Sequence, residues 1–449
     1  MDLLSLLPWV GLFIAGVFYI FLQSRNTELR DNESYYFANR RLNVWLLAST
    51  ILATQVGGGM LIGVCDAAYQ EGLIGFLYPI SQIIGLLIVF FVLSKAFQKL
   101  KLQTAPEVFT KVYQLPKIRK YASLISSFSL FIILIAQVVS IRKLLMSIGL
   151  DSPYLLMAIW GSVVAYTSLG GFGIVVKTDL IQIFLILVGC LLLFFSLFQI
   201  GFEGIKSEPL LPTSIDKFDA INMLIWPCCY LLVEQDMLQR FVSAENLKCL
   251  KKSLWLACIG LILIASVPVL IGLLAKSQAT ELNSASSILL TFTKLNTAKW
   301  IYSMTAFIIL MAILSTVDSI LCALSSLIAI DELLPINLKT NYLKNSMITT
   351  VIGISALIGS YFADSVLKTL VLSYGLTASS LCVPVVFGIL GFQNSNKAAQ
   401  YAFWSGLISY LICMWLLPNY SFVAILFSCV GYGLGCMRGS LFPFSLLSR

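Results

Sequence analysis

The sequence predicts an all-α integral membrane protein of about 13 spanning helices, and three observations support that fold class. Apolar residues make up 59% of the 449 residues, charged residues only 11%, and the mean hydropathy is +0.93. Apolar runs of about 20 residues, the length that crosses a hydrocarbon core as a helix, recur along the whole chain. The polar segments between them are too short to build a core of their own. We therefore expect a single transmembrane domain over residues 1–449.

Thirteen apolar runs are long enough to span a bilayer. They lie near residues 5–23, 43–67, 72–95, 121–141, 153–169, 179–201, 219–239, 254–275, 299–328, 346–362, 366–392, 399–417 and 419–437. The first run has no basic segment before it and no small-residue cleavage site after it. We expect it to be a retained helix and not a signal peptide.

The basic residues are divided unevenly between the two sets of alternating loops. One set holds 21 of the 29 lysines and arginines, and the other holds only Arg142, Lys143, Lys206, Lys217, Lys276, Lys294, Lys299 and Lys368. Because basic residues collect in cytoplasmic loops, the richer set is expected inside. With an odd number of spans, the N-terminus then lies outside a plasma membrane and the C-terminus inside. This distribution indicates charge near lipid headgroups and not a nucleic-acid surface.

The second span, within Leu42–Gly75, carries Gln55 and three successive glycines, Gly57, Gly58 and Gly59, where the helix would be at mid-depth. Each glycine weakens a helix by about 0.8–1 kcal/mol relative to alanine, so we expect the helix to unwind there. Irregular backbone at membrane depth is tolerated only where it is buried in protein or lines a cavity. The alternative is that the glycines allow close helix packing, as small residues do in membranes.

The seventh span, Ala220–Arg240, contains Pro227, which removes a backbone donor and interrupts a helix. Two irregular helices five spans apart are typical of transporters built from inverted repeats, with the substrate site between the repeats. We therefore predict inverted repeats at 43–201 and 219–392, an extra N-terminal helix at 5–23 and two C-terminal helices at 399–437.

The residue types that serve most enzymes are absent or scattered. The chain has no histidine, and its 11 cysteines lie mostly in apolar spans without C-x-x-C spacing. These observations argue against a metal cluster, against disulfides and against acid–base catalysis. The sequence therefore favours a transporter over an enzyme.

The ninth span has a polar face. Ala312, Ser315, Thr316 and Ser319 recur at three- and four-residue spacing, so they share one side of a helix. Hydroxyl oxygens suit a hard cation such as sodium, and carbonyls of an unwound helix opposite them would complete its ligands. The alternative is that these hydroxyls only bond their own helix or a neighbour.

Six stretches of the chain form a recognisable series. They are YFANRRL at 36–42, LATQVGGGMLIG at 52–63, TAPEVF at 104–109, YTSLGGFGIVVKTDLIQ at 166–182, QDMLQRFVSAENLKCLKKS at 235–253 and LSTVDSILCALSSLIAIDELLP at 314–335. In their order and spacing they resemble the sodium:solute symporter family, which includes proline, pantothenate and sugar cotransporters. The resemblance implies a leucine-transporter-like fold in which spans 2–6 and 7–11 form two inverted five-helix repeats.

The resemblance also implies one sodium site between the broken second span and the ninth span. Its ligands would be the carbonyls of Ala53, Val56 and Ala312 and the hydroxyls of Ser315 and Thr316. Asp179 resembles the family's acid near the inward exit of the ion. The alternative for Asp179 is a cap at the start of the sixth span, where an acidic residue is stabilising anyway.

The solute is expected in a cavity at the membrane midplane. Residues expected to line it are Gln55, Gly58, Gln137, Trp226 and Tyr230. Buried Trp and Tyr also serve as core anchors. Gln55 replaces an acidic residue of the proline carriers, and Leu134–Ala136 lacks their tyrosine, so proline itself is not indicated. Glu234 and Asp318 are functional candidates because ionisable groups inside spans are costly.

These features predict sodium-coupled import of a small organic solute by alternating access. The solute classes considered are amino acids, vitamins, sugars and carboxylates. Proton coupling through Glu234, Asp236 or Asp318 and a transport-inactive nutrient sensor are the alternatives. The expected partners are sodium, the solute and the lipid bilayer, with a monomeric or weakly homo-oligomeric chain.

The charge distribution makes a direct prediction of topology. A membrane-impermeant thiol reagent applied to intact cells should label a cysteine introduced at Ser207 and should not label one at Gln114. Permeabilised cells should label both. The reverse pattern in intact cells would overturn the orientation.

Overall fold

The computed structural model describes residue 11 and residues 31–201, 217–278, 287–333, 341–362, 366–392 and 395–438. Within those ranges the regular secondary structure is helical, with one isolated bridge between Leu42 and Ala244. The all-α prediction is confirmed for these residues. The predicted first span, 5–23, lies outside them except for Gly11.

The α-helices of the described residues are numbered in chain order. They are α1 (Asn32–Phe37), α2 (Val44–Gln55), α3 (Val64–Glu71), α4 (Leu77–Ile88), α5 (Ser94–Leu100), α6 (Glu107–Lys111), α7 (Pro116–Ser147), α8 (Pro153–Ile200), α9 (Lys217–Leu231), α10 (Gln235–Ser243), α11 (Leu247–Ser277), α12 (Ile288–Asn296), α13 (Lys299–Ile330), α14 (Asn341–Gly359), α15 (Val366–Leu390), α16 (Asn396–Leu416) and α17 (Val423–Arg438). A π-helical turn, Gly59–Gly63, precedes α3, and another, Val89–Leu93, joins α4 to α5.

Seven helical stretches of the described chain are long and apolar enough to cross a membrane. They are 59–100, 116–147, 153–199, 247–277, 299–330, 341–362 and 373–390. This count does not confirm 13 spans, because several predicted spans are broken or joined. The second and seventh are divided into shorter helices, and the fifth and sixth run together in α8.

The fifth and sixth spans are joined at a single glycine. Helix α8 has 48 residues, and as a straight helix it would measure about 72 Å, more than twice the thickness of a hydrocarbon core. Gly171 interrupts it with φ 56° and ψ −158°. A β-carbon there would lie 2.5 Å from the carbonyl oxygen of Tyr35. Both the backbone conformation and the close approach therefore require glycine.

The predicted interruption of the second span is confirmed. Helix α2 ends at Gln55, Val56 is non-helical (φ −92°, ψ 71°), and the π-helical turn begins at Gly59. π-helical turns inside helices occur frequently at functional sites. The break is short, so only a few backbone N–H and carbonyl groups leave the regular hydrogen-bonding pattern of the helix.

The same glycines also allow close packing, as the alternative interpretation proposed. A β-carbon on Gly57 would lie 2.6 Å from the Thr316 hydroxyl oxygen, and one on Gly58 would lie 3.1 Å from Ile313. Nothing lies within 4 Å of a β-carbon on Gly59. Unwinding and close approach to α13 therefore occur together.

The seventh span is broken as well, but not at the predicted residue. Pro227 lies inside α9, which continues to Leu231. Helix α10 starts after Glu234, whose backbone is extended (φ −66°, ψ 130°). The Glu234 N–H donates to the Tyr230 carbonyl at 2.8 Å. Acidic residues stabilise a helix N-terminus, so the run that starts α10 determines the break more than the proline does.

Helix α13 is the centre of the fold. Of its most apolar stretch, 89% is buried inside the protein, compared with 39% for the stretch that contains α14. It packs against α2, α7, α8, α10 and α14. A polar site on α13 is therefore shielded from lipid by protein on all these sides. The division into repeats at 43–201 and 219–392 stays a prediction.

The joint at Gly171 predicts a matched pair of substitutions. Gly171→Ala should lower the unfolding temperature of the purified protein in detergent, because strained backbone of this kind costs about 1–3 kcal/mol. Gly173→Ala, two residues on in open space within a helix, should leave the temperature unchanged or raise it. Equal effects of the two substitutions would contradict the assigned role of Gly171.

Candidate functional site

A cavity lies where the two helix breaks meet α13. Its volume is about 560 Å³, counting its open mouth. It is lined by Thr54, Gln55, Gly57, Gly58, Gly59, Met60, Tyr78, Gln82, Ile133, Gln137, Pro227, Tyr230, Glu234, Asp236, Thr316, Ile320 and Tyr374. Both irregular backbone segments therefore border a cavity, as backbone at membrane depth requires.

Ser315 connects α13 to the broken end of α2. Its hydroxyl lies 3.0 Å from the Ala53 carbonyl oxygen and 3.0 Å from the Ala312 carbonyl oxygen. The Thr316 hydroxyl lies 3.1 Å from the same Ala312 oxygen. The structure thus brings four of the predicted cation-binding oxygens together from two helices.

The break in α2 makes the Ala53 carbonyl available to α13. In a continuing helix this carbonyl would accept from the N–H of Gly57, four residues later. Because α2 ends first, it accepts from Ser315 instead. Val56, the remaining predicted ligand, is the first non-helical residue and is fully buried.

The donor set suits a small hard cation. The two hydroxyls carry one proton each, whereas every hydroxyl and carbonyl oxygen offers two lone pairs. Ser315 reaches two carbonyls but donates to one at a time. The oxygens of this buried cluster therefore offer more lone pairs than the two hydroxyl protons can use. A cation that prefers oxygen ligands would interact with the remaining lone pairs.

Asp179 is connected to Ser315 through Arg240 and Ser319, whose hydroxyl donates to the Ser315 carbonyl at 2.7 Å. Its carboxylate accepts a hydrogen bond from the Thr50 hydroxyl at 2.5 Å and from Arg240 Nη2 at 3.3 Å. The same Arg240 nitrogen donates to the Ser319 hydroxyl at 2.5 Å. Asp179 is well inside α8, beyond the interruption at Gly171, so the alternative of a helix cap is wrong. Its role near the exit of the ion stays a prediction.

Arg240 is fully buried, and each of its three nitrogens has an acceptor. Besides the two bonds just described, Nε donates to the Thr50 carbonyl at 3.1 Å and Nη1 to the Asp236 carbonyl at 2.8 Å. The guanidinium also lies over the Phe172 ring at 5.5 Å. Arginine is suited to such a buried position because its fork of donors can be fully used.

Four acidic side chains surround this one arginine. They are Asp179, Glu234, Asp236 and Asp318, and the three aspartates are at most 1% exposed. The acidic groups outnumber the arginine four to one, so the region favours a cation nearby. Asp318 lies outside the cavity lining, and its carboxylate accepts from the Tyr166 hydroxyl at 2.7 Å.

Four of the five predicted solute-binding residues line the cavity. They are Gln55, Gly58, Gln137 and Tyr230. Trp226 does not line the cavity. Its ring is 4% exposed, its Nε1 donates to the Ser421 hydroxyl at 3.1 Å, and it packs edge-on against Tyr410. Trp226 is a core anchor, which is the common use of buried tryptophan.

Sequence reasoning missed Tyr78, Gln82 and Tyr374. Tyr78 and Gln82 lie one helical turn apart on α4, with Gln82 Nε2 3.4 Å from the Tyr78 oxygen. The Tyr78 and Tyr374 hydroxyls lie 3.5 Å apart. A polar pair at four-residue spacing within an apolar span was the available signal. Tyr374 had no such signal.

Solved structures with the same architecture are transporters. A Na⁺-coupled sialic acid symporter in a substrate-bound outward-open state matches with a TM-score of 0.78 and 18% identity, covering 98% of each chain. Mhp1, a nucleobase-cation-symport-1 family transporter, matches with a TM-score of 0.58 and 13% identity over 92% of this chain and 98% of that one. MhsT in complex with L-phenylalanine matches with a TM-score of 0.56 and 14% identity, covering 87% and 98%. These similarities confirm the leucine-transporter-like architecture.

Sequence comparison supplies the family. The sodium/pantothenate symporter of Haemophilus influenzae is 27% identical over 224 residues, 48% of this chain and 46% of that protein. The sodium/glucose cotransporter of Vibrio parahaemolyticus is 22% identical over 193 residues, 42% and 35% of the two chains. Solute carrier family 5 member 4 of Rattus norvegicus is 21% identical over 225 residues, 49% and 33%. The matches thus span less than half of these relatives. The family model for sodium:solute symporters, in contrast, matches residues 35–409, and the chain therefore belongs to the sodium:solute symporter family.

Proposed function

We propose that this protein is a sodium-coupled symporter that imports a small organic solute by alternating access. The observation that carries the proposal is the position of Ser315, whose hydroxyl lies between a carbonyl of the broken helix and a carbonyl of α13. Thr316, beside it, belongs both to this oxygen cluster and to the cavity lining. An ion bound at the oxygen cluster would therefore contact a residue that also lines the cavity.

Sodium would take the oxygens of Ala53, Val56, Ala312, Ser315 and Thr316. All are neutral, so the site holds one positive charge without a carboxylate in direct contact. Asp179 and the other buried acids supply negative potential behind it.

The energy of one sodium ion is sufficient for accumulation. A potential of 100 mV contributes about 2.3 kcal/mol per charge, and a tenfold sodium gradient contributes about 1.4 kcal/mol. Together they support accumulation of a neutral solute by roughly 500-fold.

The remaining parts of the proposal concern arrangement. The inverted repeats at 43–201 and 219–392 would rock about the two broken helices, exposing the cavity to each side in turn. The chain would sit in the plasma membrane with the N-terminus outside and the C-terminus inside, as a monomer or weak homo-oligomer.

Proton coupling is the second candidate, because Glu234 and Asp236 line the cavity. Uptake that persists without sodium and collapses with a proton uncoupler would favour it. Uptake by neither gradient, with solute binding retained, would favour a nutrient sensor.

The Ser315→Ala, Thr316→Ala double variant tests the sodium site. Each loss of a buried polar partner is worth about 1–3 kcal/mol, so each single variant should raise the sodium concentration for half-maximal uptake roughly 5- to 150-fold. Solute affinity at saturating sodium should change much less, because a filled ion site restores the binding-competent state.

A matched control for this test is Thr305→Ala on the same helix. Thr305 is fully buried, and its hydroxyl donates to the Ile301 carbonyl of α13 itself. Sodium dependence should be unchanged in this variant. A normal sodium dependence in the double variant would remove the basis of the assignment.

The glycines of the break give a second test. Gly57→Ala should weaken sodium activation of uptake, because its β-carbon would lie 2.6 Å from the Thr316 hydroxyl oxygen and displace a ligand. Gly63→Ala, at the end of the same π-helical turn and outside the cavity lining, has nothing within 4 Å of its β-carbon and should behave like the wild type. Sodium titrations of uptake that give the same shift for both variants would show that Gly57 acts only through backbone flexibility.

A further inference from the structure

The cavity lining combines acidic and aromatic side chains. Glu234, in the break before α10, and Asp236, in the first turn of α10, contribute carboxyl groups. Tyr78, Tyr230 and Tyr374 contribute three phenol rings. Among the described residues, no lysine or arginine lines the cavity. Its charged groups are therefore of one sign.

Arg240 does not offer a positive charge to a solute bound in this acidic cavity. Its nitrogens are directed to Thr50, Asp179, Ser319 and the backbone of Asp236, and the side chain is 0% exposed. A carboxylate or phosphate in the cavity would find no basic partner there. It would instead add a negative charge beside two acids, which is repulsive at low dielectric.

Two buried amide oxygens also lack donors. Gln82 and Gln137 are 5% and 4% exposed and line the cavity, and their Oε1 atoms have no hydrogen-bond partner. Buried acceptors of this kind are costly unless something donates to them. A ligand with several N–H groups would satisfy them.

The aromatic rings of the cavity form one cluster beside the acidic side chains. The Tyr230 and Tyr374 rings lie 4.5 Å apart at 30° to each other, and the Tyr78 and Tyr374 hydroxyls are 3.5 Å apart. Glu234 has the Tyr230 hydroxyl beside it. Ring faces next to a carboxylate bind ammonium groups, because the ring quadrupole and the charge attract the same cation.

We propose that the transported solute is an organic cation whose protonated amino group binds between Glu234 and the rings of Tyr230 and Tyr374. Gln82 and Gln137 accept its N–H groups, and the rest of the molecule carries no carboxylate. This inference rests on the proposed symport function and specifies its substrate class.

The test uses three probes of similar size that differ in charge: 2-phenylethylamine, 2-phenylethanol and 3-phenylpropanoate. Thermal stabilisation of the purified protein in detergent reports binding, and uptake into proteoliposomes reports transport. Each is measured in sodium and in potassium, since an organic replacement cation would compete for the proposed site. The amine should stabilise the protein and be taken up in sodium, at concentrations at least about 10-fold lower than the other two probes require.

Variants of Glu234 and of Tyr374 test whether these two residues bind the amine. Glu234→Gln keeps the shape and removes the charge, so it should weaken amine binding roughly 10- to 150-fold, the scale for a hydrogen bond to a charged group. Its control is Glu245→Gln, an exposed glutamate outside the cavity, which should bind normally. Tyr374→Leu should weaken binding roughly 2- to 30-fold, and Tyr374→Phe should retain most of it, because the ring face is kept.

The outcomes separate this inference from the proposed function. Sodium-dependent uptake of the alcohol or the carboxylate in preference to the amine would overturn the inference and leave symport intact. Normal amine binding by Glu234→Gln would also overturn it. Amine binding that depends on Glu234 but not on sodium would support the cation site and contradict sodium coupling.

Discussion

The lack of hydrogen-bonding solvent inside a bilayer determines how this fold is organised. A helix that ends at mid-depth exposes carbonyls and N–H groups that lipid cannot satisfy. Helix α2 ends this way at Gln55 and α9 at Leu231, and both ends are covered by protein. The hydroxyl of Ser315 reaches the Ala53 carbonyl from α13, which explains why this helix carries so many polar groups yet is the most enclosed. The broken helices and the polar face of α13 therefore depend on each other.

The parts of the site that the sequence predicted are those with a strong local signal. Three successive glycines weaken a helix wherever they occur, and hydroxyls at three- and four-residue spacing must share a face, so the break in the second span and the polar face of α13 could be predicted without a structure. The proposed set of sodium ligands, in contrast, came from the family resemblance. The direction in which a side chain points from a spanning helix has no comparable local signal. A helix apolar on all sides has no marked face, and for this reason Trp226 could not be distinguished from Tyr230 although only Tyr230 faces the cavity.

The sequence also could not predict where the seventh span is broken or where Asp179 lies in its helix. The break in the seventh span lies at Glu234, and Pro227 is accommodated inside α9. Likewise, Asp179 looked equally like a cap or an ion-exit residue until its place beyond the interruption at Gly171 excluded the cap. That interruption involves a close approach to Tyr35, a contact between residues far apart in the chain about which periodicity carries no information. The all-helical class needed only composition and run length.

Charge balance links the proposed ion site to the proposed solute site. Two unit positive charges about 10 Å apart repel by roughly 1.7 kcal/mol at an effective dielectric constant of about 20. A sodium ion and an ammonium group would therefore oppose each other, whereas symport requires that they favour each other by about 1–3 kcal/mol. The acids around Arg240 outnumber it four to one, so a carboxyl group is available to balance the charge of each cation. Gly57 and Thr316 line the cavity and lie beside the proposed ion site, so a sodium ion that ordered this break would also order part of the surface available to the solute, and the coupling would be positive.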